Sequence, residues 1–192
     1  MIKFFDILIS FIFLLLLSPL FCLIAILIKL SSQGAVFYLD KRVGFNNTIF
    51  LMYKFRTMKA HAKTDQNWFT SQNDPRVTTI GKILRKTSLD ELPQLINVLK
   101  GEMSLVGPRP ESPLSRDSYS DEYWLEVLKI KPGITGLAQV RGRSSIGLKA
   151  KVEYDLEYKT KILAANNFGK LWLNFKIMVL TVFAVIPSKN VN

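Results

Sequence analysis

Two adjacent carboxylates and a set of scattered cations are the side chains of this sequence best suited to chemistry. Asp90 and Glu91 stand together in the stretch 87–110, which reads TSLDELPQLINVLKGEMSLVGPRP. Paired carboxylates can handle a proton, hold a divalent cation or attack phosphorus. Lys54, Arg56, Arg85 and Arg109 can neutralise the charge of a diphosphate. The bland role of such carboxylates is to cap a helix and complement its dipole. For the cations it is a solvated basic edge.

The elements that must position these groups follow from local pattern. Ser88 with Glu91 three residues later is a capping-box pattern, so a helix is expected to begin there. Leu92, Leu95, Ile96 and Leu99 recur at helical spacing, and Gly101 stands where a helix can end in a left-handed turn. Asp90 and Glu91 would then lie in the first turn, and Gly107-Pro108-Arg109-Pro110 would return an arginine to them. Residues 35–39 and 49–55 are β-prone around a turn at 44–47, predicting a short hairpin. In the second strand Lys54 and Arg56 would share one face. Residues 80–85 form a basic helical turn that sets Arg85 just before Asp90. His61 and the polar residues around it read as a loop or short helix.

Hydrophobic residues make up 48% of the chain, yet its net charge is +11. Apolar length beside basic surface suits a membrane face, anionic lipid, a phosphorylated substrate or nucleic acid. A single cysteine, Cys22, excludes an intrachain disulfide, and a single histidine excludes a multi-histidine metal site. Residues 4–30 are nearly continuous apolar sequence, longer than the ~20 residues that cross a bilayer. Ser18-Pro19 interrupts them, because proline removes a backbone donor while Ser18 can satisfy a freed carbonyl. A kinked spanning helix and a re-entrant helix–break–helix both fit. Lys3 before the run and Lys29, Lys41 and Arg42 near its end make both flanks basic.

Toward the C-terminus, 112–128 is acidic and aromatic, a loop and then a helix. Residues 131–136, KPGITG, form a turn that either approaches a phosphate closely or is simply tight. Arg141 and Arg143 extend the basic surface. Asp155, in a predicted helix over 152–161, could bind metal or sugar, or pair with Lys151 or Lys159 one turn away. Residues 168–186 are apolar with Lys170, Asn174 and Thr181 on one narrow polar stripe. Trp172 and the lysines favour a helix at the bilayer interface over a second span.

With these pieces in order the chain resembles the bacterial sugar transferase family, the small monotopic phosphoglycosyl transferases. The resemblance is carried by Ser18-Pro19 in the apolar run, YKFRTM at 53–58 and SLDELPQLINVLKGEMSLVGPRP at 88–110. KPGITGLAQVRGR at 131–143 and VEYDLEY at 152–158 extend it over most of the chain. Because nothing precedes the apolar run, the resemblance is to the minimal form without extra transmembrane helices. It implies transfer of a phospho-sugar from a UDP-sugar to polyprenol (undecaprenyl) phosphate, releasing UMP, as the first membrane step of glycoconjugate biosynthesis. The implied fold is mostly α with a short β-hairpin, a monotopic membrane protein at the cytoplasmic face of a bacterial inner membrane. Residues 1–30 would be the re-entrant helix and 31–192 the catalytic domain, including interfacial helix 168–186.

The resemblance also assigns roles. Asp90 and Glu91 match the family's acidic dyad, with Asp90 as nucleophile and as the ligand of Mg²⁺, and Glu91 in support. Lys54, Arg85 and Arg109 match its cations, and Asp155 its downstream acidic residue, with Tyr154 replacing the more usual leucine. Arg143 is a further candidate for substrate contact. Beside the enzyme stands a non-catalytic alternative, a basic membrane-tethered module that binds anionic lipid or a partner protein. A second copy of the chain is a further candidate partner. Nucleic acid is not expected, since no recognised module accompanies the charge.

Overall fold

The computed structural model describes residues 1–59, 74–142 and 146–185. His61 and Arg143 therefore lie outside the described residues. Helices α1 (Ile2–Leu16) and α2 (Ser18–Ser31) meet at Leu17 with a bend of 61°. The break has the chemistry expected of Ser18-Pro19. Pro19 stands in the first turn of α2, and Ser18 Oγ donates to the Leu15 carbonyl at 2.8 Å. At about 1.5 Å per residue each half is ~22 Å long, short of the ~30 Å hydrocarbon core of a bilayer. Among the described residues no single helix is long and apolar enough to cross a membrane.

Strands β1 (Phe37–Val43) and β2 (Ile49–Phe55) form the expected antiparallel hairpin, in register from Phe37 opposite Phe55 to Val43 opposite Ile49. Asn46 and Asn47 take positive φ in its turn, as their short polar side chains allow. Helices α3 (Thr79–Thr87) and α4 (Gln94–Leu99) follow, joined by a 3₁₀ turn at Leu89–Glu91. Strand β3 (Ser104–Val106) leads on to α5 (Asp121–Val127), and β4 (Gly133–Thr135) returns to pair with β3 in parallel. Helices α6 (Leu137–Gly142), α7 (Leu148–Ala164) and α8 (Asn167–Val185) complete a mostly helical chain. One core cluster joins β2, α4, β3, α7 and α8 around Met52, Val98, Met103 and Ile177. A second joins α2, β2 and α3 through Ile24, Ile28, Phe55 and Leu84.

Two helices are built inside out. Helix α1 buries Asp6 and Ser10 and exposes Phe4, Leu8, Phe11 and Leu15. Asp6 accepts from Ser104 Oγ at 2.5 Å, tying the helix to β3. Helix α8 turns Asn174 to the Tyr158 hydroxyl at 2.9 Å and Thr181 to Thr135 at 2.7 Å, while Phe168, Trp172, Phe175 and Phe183 stand exposed. The polar stripe read from the sequence is real, but its Asn174 and Thr181 face the protein. Water would reward the opposite arrangement, because exposed apolar area costs about 25 cal/mol per Å².

Candidate active site

The dyad lies in the 3₁₀ turn between α3 and α4, and the capping box expected at Ser88 is not formed. Ser88 adopts φ 56° and ends α3, its N–H donating to the Arg85 carbonyl at 3.2 Å, with no side-chain cap on the turn that follows. A residue in the left-handed conformation that closes one helix lacks the extended backbone a helix N-cap requires. The apolar face also differs: α4 buries Gln94, Leu95, Asn97 and Val98, whereas Leu92, Ile96 and Leu99 are half-buried. Gly101 does close α4 with φ 77°.

Three cations converge on the two carboxylates. Arg109 clamps Glu91 with both terminal nitrogens, at 2.6 and 3.1 Å, and Lys54 Nζ lies 3.6 Å from the same carboxylate. Burial pushes Glu91 up, but the charges of Arg109 and Lys54 outweigh it and hold its carboxyl down at about 2. Asp90 fares differently. Its carboxylate has no hydrogen bond or ion pair among the described residues, and burial together with the neighbouring Glu91 charge raises it to about 6. Burial lowers the ammonium of Lys54, and the nearby Arg109 charge lowers it further. Arg85 lies close enough to Asp90 to feel its charge, while its Nε donates to Thr57 Oγ1 at 2.9 Å. One carboxylate is thus locked into ion pairs, and its neighbour is open, partly buried and faced by cations.

Backbone packing holds this arrangement. The Pro108-Arg109-Pro110 loop is pinned where β3 and β4 run together: Gly107 N–H donates to Thr135 O and Gly133 N–H to Pro108 O, both at 2.8 Å. A Cβ on Gly133 would stand 2.0 Å from Gly107 N. The close approach these glycines allow is therefore to another strand, so the tight-packing account of 131–136 is the one the geometry shows. Similarly, a Cβ on Gly81 would sit 2.1 Å from Thr57 O, so α3 needs glycine there to bring Arg85 to the site.

Arg56 departs from expectation. Strand β2 ends at Phe55, and Arg56 NH2 donates to the Ser32 carbonyl at 2.7 Å at the end of α2. Carbonyls at a helix C-terminus lack intrahelical donors, and an arginine satisfies one. Asp155 is also not brought to the dyad. It is buried in a second cluster, bonded to Lys151 Nζ at 2.7 Å and the Tyr123 hydroxyl at 2.9 Å, with Lys151 also reaching Glu111 at 2.6 Å. The expected pairing of Asp155 with Lys151 one turn away is present.

Asn97 escaped the sequence reading. Fully buried, it accepts from Tyr53 N–H at 3.0 Å and donates to Leu51 O at 2.8 Å and to Glu102 at 2.7 Å, locking β2 beside α4 and so placing Lys54. An amide among Leu95, Ile96, Val98 and Leu99 was the available signal.

The family model for the bacterial sugar transferases matches residues 1–188. This chain belongs to the bacterial sugar transferase family. Among curated relatives it is 43% identical to the UDP-glucose:undecaprenyl-phosphate glucose-1-phosphate transferase of Escherichia coli (strain K12), over 96% of this chain and 40% of that protein. It is 44% identical to the undecaprenyl-phosphate glucose phosphotransferase of Komagataeibacter xylinus, over 97% and 36%. It is 40% identical to the exopolysaccharide production protein ExoY of Rhizobium meliloti (strain 1021), over 96% and 83%. The chain thus spans about two-fifths of the first two sugar transferases and most of the third.

Proposed function

We propose that this chain transfers a sugar 1-phosphate from a UDP-sugar to undecaprenyl phosphate at a membrane surface. The observation that carries the proposal is the division of labour in the dyad: Glu91 fixes Arg109 and Lys54, and Asp90 is left open among cations. Asp90 Oδ attacks the phosphorus attached to the sugar. A carboxylate–phosphorus bond forms, the bond from that same phosphorus to the bridging oxygen breaks, and UMP departs carrying that oxygen and the electron pair. An oxygen of undecaprenyl phosphate then attacks the same phosphorus and displaces the Asp90 carboxylate, leaving a diphosphate-linked sugar. Lys54, Arg85 and Arg109 offset the charge of the approaching anions, and their fixed positions avoid reorganisation during reaction.

Asp90 fits Mg²⁺, a hard cation that takes one or two carboxylates together with substrate phosphates. No group of three or more His, Cys, Asp or Glu gathers among the described residues, so Asp90 would hold the ion without a protein cage. When bound, Mg²⁺ supplies charge neutralisation to the diphosphate.

The membrane assignment is supported by the inside-out α1 and α8 and by the 61° bend at Leu17, a break that a monotopic, re-entrant α1–α2 pair requires and a broken span also contains. Relatives 38–43% identical are named for glucose, N-acetylgalactosamine and galactose, so the shared reaction accommodates different sugars. A panel of UDP-sugars mixed with undecaprenyl phosphate and Mg²⁺ tests the proposal. UMP release with at least one donor, abolished by Asp90→Asn, is expected. Release from none, with membrane binding intact in Asp90→Asn and Glu91→Gln, would favour a non-catalytic lipid- or protein-binding module.

A further inference from the structure

A second basic cavity lies at the opposite end of α1 from the break. It holds about 300 Å³ and shares no residue with the Asp90 site. Lys3, Lys129, Lys131 and Lys170 line it, against one acidic side chain, Asp6. Asp6 is committed to Ser104 Oγ, and Lys129 to Glu126. Lys131 spends one donor on the Gly101 carbonyl at 2.6 Å and has two left. Lys3 and Lys170 make no ion pair among the described residues. Burial and the nearby Lys3 charge lower the Lys131 ammonium, and the single Asp6 charge opposes them without offsetting them.

Most of the remaining lining is apolar, including Val98, Met103, Ile130 and Ile162, with Ser104 and Asn174 among it. The two helices that supply Lys3 and Lys170 are the inside-out pair, with Phe4 and Phe5 exposed beside Lys3 and Phe168 and Trp172 beside Lys170. A ligand here meets lysines in the cavity and exposed apolar helix surface beside it. The volume is at the small end for ligand sites, enough for a headgroup and the first carbons behind it.

We propose that this cavity binds the phosphate headgroup of an anionic phospholipid, whose chains run along the exposed faces of α1 and α8. The site rests on the membrane assignment above and is separate from the Asp90 chemistry. It would fix the depth and tilt of the protein on the membrane by one lipid held at α1 and α8.

Flotation of the full chain with vesicles of phosphatidylcholine alone, or of phosphatidylcholine with an equal part of phosphatidylglycerol, tests this. The wild type should prefer the mixed vesicles and retain phosphatidylglycerol through purification, read by native mass spectrometry. The triple variant Lys3→Gln, Lys131→Gln, Lys170→Gln should lose about tenfold of that preference relative to a variant with Lys41, Lys82 and Lys149 changed to glutamine. Replacing the same three cavity lysines with arginine should restore it. Equal loss in both glutamine variants, or no preference in the wild type, would overturn the cavity site while leaving the membrane assignment standing. Failure to float with either vesicle would remove the membrane assignment and the site with it. Displacement of phosphatidylglycerol by inorganic phosphate at comparable concentration would show a free-anion site and overturn the lipid assignment.

Discussion

Replacing Asp90 with asparagine should make the protein more stable at neutral pH while abolishing turnover. In the folded protein the Asp90 carboxyl stands at about 6, against 3.8 for the free side chain. A raised carboxyl means that the folded state favours the proton more than the unfolded state does, so ionisation opposes folding. That cost is absent below pH 3.8, grows as pH rises, and is complete once pH passes the folded value of about 6. Two pKa units at about 1.4 kcal/mol each give an upper limit near 3 kcal/mol. Asp90 is partly open to solvent, which screens the penalty, so a gain of about 1–2 kcal/mol is expected. For a chain of this size that is a rise in Tm of roughly 2–8 °C. The assay is thermal unfolding of wild type and Asp90→Asn in metal-free buffer at pH 7.5 and again below pH 4. Comparing the two proteins at each pH largely cancels Glu91, whose depressed carboxyl contributes stability above its free value of 4.5 and loses it as pH falls toward about 2. A gain that persists unchanged below pH 4, or a loss at pH 7.5, would refute the account of an open, unpaired Asp90.

Glu91→Gln should destabilise the protein by about 3 kcal/mol, measured by denaturant or thermal unfolding, because it strips Arg109 and Lys54 of their partly buried partner. Its turnover should fall as well, and Arg109→Lys, which keeps the charge but loses the two-pronged contact, should recover folding more than rate. The burst of UMP release before acceptor is added should lose rate as pH falls through about 6, and added Mg²⁺ should move that limb downward, since a cation favours the charged carboxylate. A limb indifferent to Mg²⁺ would remove Asp90 as its ligand. Gly133→Ala should cost about 1–3 kcal/mol by forcing β4 from Gly107, and should lower kcat through the displaced Arg109 loop.

What could be read from the sequence was mostly what neighbours in the chain decide. Ser18-Pro19 located the break to within a residue, because both the missing donor and the hydroxyl that compensates are local. The hairpin followed from alternation and the Asn-rich turn, and Pro108-Arg109-Pro110 did bring its arginine to the dyad. Misreadings arose where one residue serves two elements or where a partner is distant. Ser88 matched a capping box, but closing α3 claimed its backbone first. Arg56 matched the alternation of a strand that ends one residue earlier, and the end of α2, 24 residues away, drew its guanidinium. The glycines of 131–136 gave no hint that β3 would be their partner. For α8, helical periodicity placed Asn174 and Thr181 on one stripe, yet periodicity is blind to which side is protein and which is solvent. The split between Asp90 and Glu91 needed the positions of Arg109 and Lys54, which lie 18 residues after Glu91 and 36 before Asp90 in the chain.

The central claim is that the Asp90 carboxylate forms a bond to phosphorus. Incubating the protein with its UDP-sugar in the absence of undecaprenyl phosphate, quenching with acid and mapping the peptides by mass spectrometry tests it directly. The account predicts a sugar phosphate attached to Asp90, removed by adding undecaprenyl phosphate and absent from Asp90→Asn. A protein that releases UMP with acceptor present but carries no adduct at Asp90, or carries one at another residue, would contradict it.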